Sequence, residues 1–154
     1  MSQSEQVSGN EKRKIRSTTR LYAIQALFQM EQLGLSTDEV VEEFVVHRFG
    51  EEYEEGQLSD GDEALFKSIV ESAVNYQAYI DQLTDRALVK KWPIARIDPT
   101  LRSLFRAAAA EITQIKTPPK IVITEYVALA HAFFTDGKEP NFVNAVLDHM
   151  AREA

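Results

Sequence analysis

Five cations gather near the start of the chain: Lys12, Arg13, Lys14, Arg16 and Arg20. Phosphate oxygens are the natural counterpart of such charge density, and an arginine fork binds them bidentately. Arg16 and Arg20 are spaced i, i+4, so on a helix they share one face. Lys12 and Lys14 are expected on a flexible lead-in able to drape along a polyanion. Three readings stay open from these residues alone: a nucleic-acid backbone, an acidic protein surface, or a solubilising helix start without a partner. The last has a weakness, since cations at a helix N-terminus oppose the macrodipole.

Unpaired RNA is read by basic grooves joined to aromatic platforms. Phe28, Tyr79 and Phe142 are the rings to consider. Phe28 falls on an apolar stripe, which favours the core. Tyr79 lies beside Ile80, off the best stripe, and is expected to be exposed. Phe142 stands between Asn141 and near Asn144, a setting that suits base stacking with edge hydrogen bonds as well as it suits packing.

Other chemistries lack their residues. There is no Gly-rich phosphate loop and no Ser-x-x-Lys or G-x-S-x-G pattern. His47, His131 and His149 are scattered, with no partner at metal-ligand spacing, so no metal and no cofactor are expected. The many carboxylates fall in runs, as solvated surfaces do, rather than as a pocketed acid–base pair. No cysteine is present, which removes a thiol nucleophile and suits a reducing, cytoplasmic setting. No signal peptide is evident, and no apolar run nears the roughly 18 residues of a membrane span.

The elements that must position the cations follow from periodicity. The chain has 154 residues, of which 44% are hydrophobic and 27% charged, enough for a folded domain. Its net charge of −7 hides an asymmetry. Residues 1–20 hold five bases and two acids, residues 31–63 one base and twelve acids, and residues 64–154 eleven bases and ten acids. Residues 1–11 are expected to be a disordered tail, and 12–154 one domain.

Leu21, Ile24, Leu27 and Phe28 give a first helix from about Lys14, stopped at Gly34. Ser36 and Glu39 have capping-box spacing for a second, ending at Gly50. The acidic stretch 51–62 reads as a loop. Asp60 or Ser59 would cap one long helix over 61–89, with Leu65, Ile69, Ala73, Tyr76, Ile80 and Leu83 inward. Trp92-Pro93 breaks it, and Asp98-Pro99 is an N-cap with proline at the first helical position. After Pro118-Pro119, Ile121-Val122-Ile123 reads as an extended lead-in to a helix capped by Thr124. Pro140 starts the last helix. The fold class expected is all-α, with six or seven helices.

Five blocks of sequence resemble the NusB family of bacterial transcription antitermination factors, in family order. They are RSTTRLYAIQALFQME (16–31), VNYQAYIDQL (74–83), RIDPTLRSLFRAAAAEI (96–112), PPKIVITEYVALAHAF (118–133) and NFVNAVLD (141–148). The resemblance implies two packed helical sub-bundles and no catalysis. It implies binding of boxA-type single-stranded RNA together with the ribosomal protein NusE, in an antitermination complex on RNA polymerase that supports ribosomal RNA transcription.

By position, Arg16 and Arg20 match family arginines of the RNA-binding opening. Tyr79 matches the tyrosine of the middle block, and Phe142 and Asn144 match the last. The chain departs at Ser17, Thr18 and Thr19, where many members have Arg, Arg and Ala. It departs again at Phe28 for Tyr, Thr124 for Asn, Ala145 for Gly, and Lys138, where some members carry an acid. The RNA-binding set expected is thus Lys12, Arg13, Lys14, Arg16, Arg20, Tyr79, Phe142 and Asn144. Two alternatives are an acidic protein–protein adaptor without RNA, and the RNA-targeting module of an RNA methyltransferase, for which the chain leaves no room. An apolar helix face left open would suit a homodimer.

Overall fold

The computed structural model describes residues 9–53, 56–57, 60–88, 93–135 and 137–154. Among these, seven α-helices form: α1 (Gly9–Leu33), α2 (Thr37–Glu43), α3 (Glu63–Asn75), α4 (Gln77–Ala87), α5 (Pro99–Ala110), α6 (Pro119–Phe133) and α7 (Glu139–Glu153). A two-residue antiparallel ladder, Glu52–Tyr53 with Gly56–Gln57, is the one β feature in the acidic loop. The chain is all-α, as the periodicity and the resemblance both predict.

α5 is the hub. It touches α1 and α3 and also α4, α6 and α7, so it belongs to both helical sub-bundles. Its sequence explains this. Ala107, Ala108, Ala109 and Ala110 are all fully buried, and small side chains let several helices approach one axis. Asp98 caps its first turn by accepting from Thr100 N at 2.7 Å, with Pro99 at the first position.

In the first sub-bundle an aromatic cluster joins α1, α2 and α3. Tyr22 stacks on Phe49 at 4.8 Å and Phe44 on Phe66 at 5.6 Å. Each such pair adds roughly 0.5–1.5 kcal/mol beyond its buried area. The capping box of Ser36 and Glu39 is formed, and α2 widens into a π turn over Phe44–Arg48. Gly50 follows at φ 72, a left-handed position where a side chain is strained.

Four local expectations need correction. α1 begins at Gly9, so residues 9–11 are helical rather than tail, and Lys12 and Lys14 are on the helix rather than a flexible lead-in. Residues 1–8 lie outside the described residues, as does Trp92. The expected long helix over 61–89 is two, broken where Tyr76 leaves helical backbone at φ −114, ψ 23. The break lets α3 pack on α1 while α4 packs on α7. Its cap is Asp62, accepting from Leu65 N at 3.0 Å, not Asp60 or Ser59. Finally, α6 starts at Pro119, so Ile121-Val122-Ile123 is helical and Thr124 is inside the helix, not its cap. Packing of Val122 and Tyr126 into the core outweighs β-propensity there.

Candidate nucleic-acid interface

The N-terminal turns of α1 and the first turns of α6 face one another across a groove of about 1020 Å³. Lys12, Arg13 and Arg16 supply its cations from α1, and Lys120 adds one from α6. All four are exposed, so their charge is available to a ligand. Glu11 shares the first turn of α1 with Lys12, and Arg13, Lys14 and Arg16 come after that turn. The macrodipole acts mainly within that first turn, so the electrostatic objection to the basic run is weak here.

The walls are apolar. Leu65, Pro118 and Ile121 line the groove, and Ile121 is 47% exposed. Lys14 is exposed on the same helix but does not line the groove.

Arg20 behaves differently from its neighbour one turn earlier. It is 5% exposed at the groove's floor. Its guanidinium donates to both oxygens of Glu111, at 2.7 and 3.0 Å, and to Glu125 Oε1 at 3.0 Å. Three of its five N–H donors are thus engaged inside the protein, whereas Arg16 leaves its guanidinium to the solvent. Burial works to lower the pKa of this guanidinium, but the hydrogen bond and charge of Glu111 prevail and hold it above its ordinary value.

Glu111 is wholly buried and also accepts from Thr117 Oγ1 at 3.0 Å and from Tyr126 Oη at 2.6 Å. Burial, then the charge of Glu111, pushes the Tyr126 phenol well above its usual range. Ser17, one of the departures from the family pattern, donates to Glu125 Oε1 at 2.5 Å. Thr19 Oγ1 accepts from Asp62 N at 2.8 Å and ties the start of α3 to the same end of α1. The network thus fixes α1, α6 and the α5–α6 connection around the groove.

Tyr79, Phe142 and Asn144 do not line this groove. Tyr79 is 43% exposed on α4, and Asn144 is exposed on α7. Phe142 is half-buried and meets Phe105 edge-on at 5.9 Å. Phe105 precedes Glu111 by six residues, about 9 Å along α5.

Phe28, expected in the core, is instead 37% exposed. It lines a second groove of about 700 Å³ with Ile24, Gln32, Leu33, Thr100 and Phe133, and Leu33 there is 66% exposed. Lys120, Ile121 and Glu125 join the site from α6, outside the set the sequence predicts. Lys120 has a legible signal, a lysine directly after the proline that starts α6. His47, His131 and His149 are exposed, and among the described residues no cluster could hold a metal ion.

The sequence pattern of the NusB family matches residues 17–152. The chain belongs to the NusB family. Transcription antitermination proteins NusB of Granulibacter bethesdensis and Agrobacterium fabrum are each 42% identical to it. The first alignment covers 94% of this chain and 91% of the relative, the second 90% and 84%. The NusB structure of T. maritima superposes with a TM-score of 0.74 at 25% identity, covering 90% of this chain and 91% of that one. A crystal structure of antitermination factors NusB and NusE with double-stranded RNA gives a TM-score of 0.74 at 22% identity, covering 96% and 100%. The NusB fold is therefore shared, with its family-pattern start at Ser17 just inside the basic run. Among the described residues no helix is long and apolar enough to cross a membrane.

Proposed function

We propose that this chain is a non-catalytic transcription antitermination factor that holds boxA-type single-stranded RNA in the groove between α1 and α6. The observation that carries this reading is the convergence of four exposed cations from two helices on one apolar-walled groove. Lys12, Arg13, Arg16 and Lys120 neutralise phosphates, and Lys14 adds charge beside them. Arg20 acts through position: it fixes the α1 and α6 walls through Glu111 and Glu125. A strand leaving the groove meets Tyr79, Phe142 and Asn144 as a second set of contacts.

The groove of Phe28, Leu33 and Phe133 takes the protein partner, the ribosomal protein NusE, with a second copy of this chain as its competitor. Phe28 is twelve residues beyond Arg16, about 18 Å along α1, so RNA and protein dock at different ends of one helix. The assembled pair joins the antitermination complex on RNA polymerase. A salt titration of boxA-type RNA binding tests the reading. With about five phosphates neutralised, log affinity falls against log salt with a slope of about −3.5. Affinity that ignores salt overturns it. Addition of NusE should strengthen binding, and Phe28→Asp should abolish that gain while leaving the RNA affinity of the free chain unchanged.

A further inference from the structure

The groove that attracts phosphate has a carboxylate in it. Glu125 lines the groove, and its side chain is 19% accessible. Its Oε1 is saturated, accepting from Ser17 Oγ at 2.5 Å and Arg20 Nη1 at 3.0 Å. Its Oε2 accepts no hydrogen bond among the described residues. Two neighbours hold the group rigidly, and both hold it by the same oxygen. The other acid of the groove, Asp62, is committed by Oδ1 to capping α3.

A fixed anion here is of no use to a phosphate, which it repels. The surroundings suit a base instead. Leu65, Pro118 and Ile121 offer apolar surface to a ring, while Lys12, Arg13, Arg16 and Lys120 keep the backbone at the rim. An ionised carboxylate can only accept. The edge it can meet is therefore one that donates. Cytosine presents its 4-amino group; uracil presents the O4 acceptor in that place, and its N3–H donor lies between two carbonyl oxygens that repel a carboxylate.

We propose that Glu125 is a specificity-determining residue that admits a base with an exocyclic amino group to the groove and rejects uracil there. The inference rests on the RNA-binding reading above and deepens it. Arg20 and Ser17 are its positioning residues, which hold Oε1 so that Oε2 remains for the ligand. Glu125→Gln removes the selection, because an amide can turn its N–H₂ toward uracil O4 as readily as its carbonyl toward the cytosine amine.

The test compares labelled oligocytidylate and oligouridylate of equal length by fluorescence anisotropy at neutral pH, for the full chain and for Glu125→Gln. Other contacts contribute their own preferences, so the quantity read is the change in the cytosine-to-uracil affinity ratio. That ratio should fall roughly tenfold in the variant, the worth of one hydrogen bond to a charged group. The salt slope should stay the same, because no phosphate contact is removed. A second measurement needs no mutation. An oligomer of the cytidine analogue lacking the 4-amino group should bind the unaltered chain roughly tenfold more weakly than oligocytidylate. If both oligomers bind and neither comparison moves, Glu125 does not read bases and the inference fails alone. If neither oligomer binds at low salt, the RNA reading fails and takes the inference with it.

Discussion

The two ends of the α1–α5 pair are both fastened by arginine–carboxylate networks, and they differ in nearly everything but residue type. At the groove end Arg20 is sealed against Glu111, which is wholly buried. At the far end Arg102 and Arg106 share Glu31, and Arg106 also pairs with Asp81 at 2.9 Å, all with solvent access. Buried charges are costly to desolvate and costlier still to orphan. Partly solvated ones are screened to a degree and cost less to lose. Identical chemistry therefore serves placement at one end and little more than local tethering at the other.

The sharpest way to break this comparison is to remove one arginine from each end. Arg20→Ala leaves Glu111 buried with two hydroxyl donors and no cation, and should cost about 3–5 kcal/mol in urea unfolding. Arg102→Ala should cost about 1–2 kcal/mol. Little of that comes from Glu31. Arg102 Nη1 also donates to the carbonyls of Ile94, Ala95 and Ile97, at 3.0 to 3.3 Å, and their loss accounts for most of the effect. Equal losses at the two ends would show that burial does not set the value of these networks.

The difference between Arg16 and Arg20 also marks where sequence reading ends. Their i, i+4 spacing correctly predicts a common helix. It cannot say that one of them meets partners 91 and 105 residues away. Local signals served well elsewhere: Ser36 with Glu39 and Asp98 with Pro99 announce real caps. The break at Tyr76 has no glycine or proline to reveal it, and arises because α3 and α4 serve different sub-bundles. Ile121-Val122-Ile123 misleads because a β-prone triplet can still fill one face of a helix. The basic half of the groove was readable; the half contributed by α6 depends on the long-range fold.

A binding experiment sharpens the same contrast within the groove. Arg16→Ala should leave the melting temperature within about 2 °C, since surface substitutions usually change stability by less than about 0.5 kcal/mol. It should weaken boxA-type RNA binding and lift the salt slope by about 0.7. Arg20→Lys should do the reverse. It keeps the charge but loses the fork that spans Glu111 and Glu125, so stability falls while the salt slope stays near that of the parent chain. A loss of slope in Arg20→Gln, which removes the charge, would put Arg20 back among the phosphate contacts.

The smallest effect expected separates the two ends by pH. The hydrogen bond from Arg102, opposed by partial burial and aided by the nearby arginine charges, holds the Glu31 carboxyl below its ordinary value of 4.5. A depressed folded pKa gives stability that is present above the unfolded value and lost as pH falls through the folded one. Glu31 is partly solvated, so screening keeps this contribution small. The groove end has the opposite sign. Tyr126 is raised by burial and by Glu111 above its ordinary value of 10.0. Its stabilisation is complete below that value and lost as pH rises through and beyond it. Arg102→Ala should therefore flatten the acid limb of a stability–pH curve and leave the alkaline limb in place. Tyr126→Phe should flatten the alkaline limb alone, at the expense of one hydrogen bond to Glu111 across the whole range. If both variants altered the same limb, the two networks would be one coupled system, and the division of α1 into a buried anchor and a solvated tether would be wrong.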